Sequence, residues 1–144
     1  MLSDSIIVKL LDNCRKDGIQ KIVAGAVIVF ENNKILFLER ATGEFKEGLI
    51  ELPSGGINDD ETIIQGLIRE VKEETGLNVV SVTDYLGYFD YLSKSGRKTR
   101  QFNFKVITEP GEIKINPIEH SHFLISSDLD ILNISEEVKK ILKK

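Results

Sequence analysis

A chain of 144 residues, 41% hydrophobic and 29% charged, is long enough for one core and too apolar to stay disordered. Its formal net charge of −4 excludes a global pull on nucleic acid or anionic lipid, so an anionic substrate needs a local reversal of the field. Cys14 is the one cysteine, which excludes an intramolecular disulfide and fits a reducing compartment.

The start, "MLSDSIIVKLLDNCRKDG", lacks the basic head and long apolar stretch of a signal peptide. Ile6, Ile7, Leu10, Leu11 and Cys14 recur at helical spacing. Ser3 or Asp4 can cap that helix and Gly18 can end it. "KIVAGAVIVFENNKILFLER" reads as an apolar strand, a turn at Asn32-Asn33 and a second strand alternating through Ile35 and Phe37. The apolar run "IVAGAVIVF" is too short to span a bilayer. The expected location is the cytoplasm, with no membrane and no nucleic acid polymer among the partners.

"EFKEGLIELPSGGINDDE" reads as a loop punctuated by Pro53, Gly55 and Gly56. "ETIIQGLIREVKEETG" is a helix closed by Gly76. "VVSVTDYLGYFDYL" and "KTRQFNFKVIT" are strands that the turn "SKSGR" joins into a hairpin. The basic residues of that turn, Arg97, Lys98 and Arg100, are expected to be solvated, where they discourage edge pairing. After the loop "EPGEIKINPIE" come a strand, "EHSHFLISS", and a closing helix, "SEEVKKILKK", with Ser135 as N-cap. No linker or repeat divides the chain, so residues 1–144 are expected to form one domain, a mixed sheet packed between helices.

The helix over "REVKEETG" carries the chemistry. At 100° per residue with Glu70 at the origin, Glu73 lies at about 300° and Glu74 at about 40°. Ile63, Ile64, Leu67, Ile68 and Val71 mark the apolar face, at roughly 20° to 160°. The acidic and apolar stripes overlap at Glu74, which is expected to be partly desolvated. Grouped carboxylates resist ionisation unless a cation is near. Three convergent carboxylates suit Mg²⁺ or Mn²⁺, and no His or Cys stands beside them in the sequence to favour zinc.

From Gly55 the pattern runs Gly, five residues, Glu61, seven residues, Arg69-Glu70-Val71, one residue, Glu73-Glu74, one residue, Gly76-Leu77. These are nine defined positions over 23 residues. The stretch resembles the signature of the Nudix hydrolases at every fixed position. "AGAVIVF", "LPSGG" and "EHSHFLISSDL" extend the resemblance over most of the chain. It implies an α/β/α sandwich with a mixed β-sheet, to which the helix within residues 1–18 is an addition.

The resemblance also implies metal-dependent hydrolysis of a diphosphate linkage in a nucleoside diphosphate derivative, with Mg²⁺ or Mn²⁺ as cofactor. A nucleoside triphosphate, oxidised ones included, is the first substrate class. ADP-ribose or a nucleotide sugar is the alternative, and a non-catalytic nucleotide-binding domain is a third reading. Family members are often dimers, so a homodimer is a candidate assembly. Glu70, Glu73 and Glu74 resemble the metal-binding carboxylates, Glu61 the supporting glutamate, and Arg69 the arginine that orients them. The carbonyl of Ser54 occupies a position that often binds metal, where many members have glycine. Asp60 replaces another frequent glycine. Glu73, Glu74 or a carboxylate from another loop can take a proton from water. Glu119 is the candidate for that loop carboxylate, ahead of Glu109 and Glu112. Arg40, in "FLERA", resembles an arginine used on substrate phosphates. Phe89, Tyr91, Phe102 and Phe104 alternate on the hairpin as core, with Tyr91 the candidate to stack on a base. His120 and His122 are expected to be structural or surface residues, with His120 near substrate as the other reading.

Overall fold

The computed structural model describes residues 2–44, 46–130 and 132–143. The elements are α1 (Asp4–Lys16), β1 (Lys21–Ile28), a 3-10 turn (Glu31–Asn33), β2 (Ile35–Arg40), β3 (Ile50–Glu51), β4 (Ser54–Gly56), α2 (Ile63–Thr75), β5 (Val79–Leu92), β6 (Lys98–Thr108), β7 (His120–Ser126) and α3 (Glu136–Leu142). Phe45, in the loop expected before the glycines, and Lys144, at the end of the expected last helix, lie outside the described residues.

The strands form a four-stranded mixed sheet, ordered β4-β1-β6-β5, and a three-stranded antiparallel sheet, ordered β3-β2-β7. The α/β class and mixed sheet expected from the sequence are present. The division into two sheets was not foreseen. Asn32 and Asn33 take positive φ, 62° and 60°, and the strands on either side of them meet at the bridge Val29–Ile35 and the bond from the Phe30 amide to the Lys34 carbonyl rather than in a ladder. β1 instead runs parallel to β6, from Lys21 opposite Thr99 to Ile28 opposite Val106.

β1 can sit centrally because it is apolar on both faces. Ala24, Ala26 and Ile28 enter one core with α1, α2, Phe102 and Phe104. Val27 enters the other with Phe37 and Val138. Phe102 and Phe104 are fully buried, each contributing about 1.5–3 kcal/mol of transfer free energy. Two short strands, β3 and β4, lie inside the segment read as loop.

Arg100 departs from the solvated turn expected of it. It is 4% exposed. Its Nε and Nη2 donate to Asp90 at 2.7 and 2.9 Å, and Nη1 pairs with Asp17 at 2.9 Å. Its guanidinium lies 4.2 Å from the centre of the Tyr88 ring. A buried guanidinium needs such partners. Arg97 Nη2 donates to the Gln20 carbonyl at 2.6 Å and Lys98 Nζ to the Asp17 carbonyl at 2.7 Å. The basic turn therefore fastens the hairpin to the end of α1.

Candidate functional site

α2 positions the acidic residues because both of its ends are fixed. Thr62 Oγ1 accepts from the Gln65 amide at 3.1 Å, and Gln65 Oε1 accepts from the Thr62 amide at 2.9 Å, a reciprocal cap. Gly76 ends the helix at φ 77°, with its amide on the Lys72 carbonyl. Ile63, Leu67 and Val71 are buried, which turns the neighbouring acidic stripe toward β3 and β4.

Arg69 gathers the carboxylates. Its Nη2 donates to Glu61 Oε1 at 2.6 Å and its Nε to Glu61 Oε2 at 3.1 Å. Nη1 donates to Glu70 at 2.7 Å and to Glu73 at 3.2 Å. Nη2 also holds the Gly56 carbonyl at 2.8 Å. One guanidinium thus ties α2 to β4. The bond from Arg69 holds Glu61 below the ordinary carboxylate range, helped by the Asn58 amide. Those carboxylates in turn drive Arg69 upward. Burial raises Glu70 against the pull of Arg69. Gly55 is required by close approach, since a Cβ there would overlap the Glu70 carboxyl group.

Glu74 is the most perturbed of the set. Burial pushes it up to about 9, and Glu51, Glu70 and Glu119 add to the rise. The Ser54 amide opposes it, donating to Glu74 Oε1 at 2.7 Å. A carboxylate so enclosed among others lacks a counter-charge, and a divalent cation is what its oxygens suit.

Glu70, Glu73, Glu74, Ser54, Glu119 and Arg40 line one cleft of about 330 Å³. Glu61 and Arg69 stand behind it. Tyr91 lies in an adjoining recess of about 340 Å³, beside Phe89 and Gln101. Ring centres of Phe89 and Tyr91 are 6.0 Å apart. Phe102 and Phe104 are in the core. Arg40, Glu51 and Ser54 line both spaces, which makes cleft and recess continuous.

Sequence reasoning missed Glu51. Its Oε1 accepts from Arg40 Nη2 at 3.0 Å, and its Oε2 lies 2.8 Å from His120 Nε2. β2 arranges this: Glu51 is opposite Leu38 in β3, and His120 is opposite Arg40 in β7. The available signal was a lone charge in the apolar run "LIELP". His120 is 4% exposed, while His122 is exposed at the strand surface. The sequence shows no histidine next to the helix carboxylates, yet a ligand atom of His120 and carboxylate oxygens of Glu74 and Glu119 lie within 4.8 Å of one another.

The family model described as NUDIX domain matches residues 20–136. The chain belongs to the Nudix family. An ADP-ribose pyrophosphatase of Methanocaldococcus jannaschii is 40% identical over 62 residues, 43% of this chain and 36% of that protein. An 8-oxo-dGTP diphosphatase of Proteus vulgaris is 34% identical over 61 residues, 42% of this chain and 54% of that protein. The chain therefore spans only about a third to a half of these curated relatives. The crystal structure of a MutT protein from Methanosarcina mazei Go1 is 25% identical, with a TM-score of 0.75, and the match covers 85% of this chain and 90% of that one. Nudix hydrolases generally use divalent metals. No helix among the described residues is long and apolar enough to cross a membrane.

Proposed function

We propose that this Nudix domain hydrolyses a diphosphate linkage in a nucleoside diphosphate derivative, with a nucleoside triphosphate, oxidised forms included, as first substrate class. The observation that carries this reading is the acidic cleft, organised by Arg69 and opening into a recess lined by Phe89 and Tyr91. Glu70, Glu74, the Ser54 carbonyl and Glu73 would hold Mg²⁺ or Mn²⁺. Bound divalent cations would offset the charge of the diphosphate and ease ionisation of water in the cleft.

The chain's own groups do the remaining work. Arg69 fixes the three box carboxylates through its hydrogen bonds. Glu73 is our choice for the acceptor of the water proton: its side chain is 57% exposed, and Arg69 touches it only at 3.2 Å. Glu119 lines the same cleft, its carboxylate within 4.8 Å of Glu74. Arg40, held by Glu51, faces both spaces and meets the phosphates between them. Tyr91 offers a ring face to the base.

A second reading, ADP-ribose or a nucleotide sugar, is favoured by the name of the M. jannaschii relative. Lys21 and Lys94 at the recess are suited to a polar distal group. A hydrolysis screen with Mg²⁺ and with Mn²⁺ separates these readings. It covers nucleoside triphosphates, oxidised guanine nucleotides, ADP-ribose, sugar nucleotides and dinucleoside polyphosphates, with products resolved by chromatography. Release of pyrophosphate from a triphosphate supports the first reading. Preference for ADP-ribose or a sugar nucleotide selects the second. No turnover by folded, metal-loaded protein makes the domain a nucleotide binder.

A further inference from the structure

We propose that His120 contributes a ring nitrogen to a divalent cation held with Glu74 and Glu119, so that this position prefers Mn²⁺ to Mg²⁺. The proposal rests on reading the acidic cleft as a divalent-cation centre, and it adds a ligand that lies outside the glutamate helix.

Two independent observations carry it. First, one ligand atom each from Glu74, Glu119 and His120 lies within 4.8 Å of the other two. Donors that close need only a small adjustment to share one ion. Second, His120 is 4% exposed, and its Nδ1 is buried without a hydrogen-bond partner among the described residues. A buried ring nitrogen with nothing to bond is costly unless a ligand satisfies the ring.

Glu51 already occupies the other ring nitrogen, which leaves Nδ1 as the one to meet an ion. Glu51 Oε2 sits 2.8 Å from Nε2, and a carboxylate behind an imidazole fixes its rotation and raises its basicity. Glu51 is in turn held by Arg40 at 3.0 Å. β7 carries Glu119's neighbour His120 into register with Arg40, so the strand pairing sets the donor's position.

The donor set has a chemical consequence. Mg²⁺ prefers oxygen ligands and gives up water reluctantly. Imidazole suits transition-metal ions better, so a mixed carboxylate–imidazole position discriminates against Mg²⁺. An all-oxygen cage would not.

The test is pulsed electron paramagnetic resonance on tag-free protein loaded with one equivalent of Mn²⁺, read for ¹⁴N modulation from a directly bound imidazole. The chain has only two histidines, His120 and His122. The expected result is ¹⁴N modulation in the natural chain that persists in His122→Gln and vanishes in His120→Gln. Mn²⁺ affinity should fall about tenfold or more in His120→Gln, with Mg²⁺ affinity changed less than about threefold. If His120→Gln does not fold, the natural chain and His122→Gln still decide the assignment. Bound Mn²⁺ with no coupled nitrogen overturns the proposal and leaves the proposed hydrolysis standing. Modulation lost in His122→Gln, or no Mn²⁺ binding at all, also overturns it. Nitrogen coupling in a protein that turns over no substrate supports the ligand while removing the hydrolase reading.

Discussion

Two clusters in this molecule place carboxylates around an arginine. At the end of α1, Arg100 meets two aspartates and a tyrosine ring, with Lys98 close by on the Asp17 carbonyl. On α2, Arg69 meets three glutamates, while Glu51, Glu74 and Glu119 add carboxylates that it does not reach. The first cluster closes its charges on themselves and ties α1 to the hairpin. The second leaves a surplus of negative charge facing a cleft. Local charge balance thus separates a cluster that fastens the fold from one with carboxylates to spare.

Substituting one residue in each cluster should split the two roles. Glu73→Gln should lower turnover by about 10²- to 10⁴-fold while the melting temperature stays near that of the natural chain. Steady-state kinetics beside a thermal melt checks this, and near-normal turnover with verified metal dependence would remove Glu73 from the mechanism. Arg100→Met should do the reverse. It strands Asp90 and Asp17, and a loss of about 2–4 kcal/mol is expected, discounted from a wholly buried pair because both aspartates keep water contact. Denaturant unfolding measures the loss, and kcat should change little. An equal fall in kcat would mean that the two clusters are coupled.

A cation should act on the second cluster alone. Mg²⁺ at about a hundred times its Kd should stabilise the natural chain by about 2.7 kcal/mol, read as a rise in melting temperature. Glu74→Gln should shrink that rise and Arg100→Met should not. An unchanged melting temperature in the natural chain would count against the cage.

The smallest effects concern pH, and the clusters should respond with opposite signs. Glu74 is raised in the fold to about 9 from an ordinary 4.5. Between those values the folded state holds the extra proton, so chelator-treated protein should lose stability as pH rises through that window. Bound Mg²⁺ should flatten the loss. The bond from Arg100 holds Asp90 below the ordinary carboxylate range. Its contribution is present above the unfolded value and fades as pH falls through the folded one. Melting curves against pH, with chelator and with Mg²⁺, test both signs.

Much of this was legible in the amino-acid order. α2 was readable because its apolar period, its closing Gly76 and its glutamates all lie within one local stretch. The hairpin of β5 and β6 was readable for the same reason. Arg100 was misread because composition near a turn says nothing about a partner such as Asp17 at the far end of α1. Local pattern also could not separate the two sheets, since β1 chooses β6 over β2 by pairing across the chain.

By itself the sequence determined the acidic helix, its closing glycine, the spacing of its glutamates and the family to which they belong. These depend on contacts within a few turns of one helix and on fixed intervals along the chain. Only the tertiary structure decided that Glu51 and His120, 69 positions apart, would meet beside Glu74. Strand pairing on both sides of β2 brings them together, and no local propensity encodes a register between distant strands.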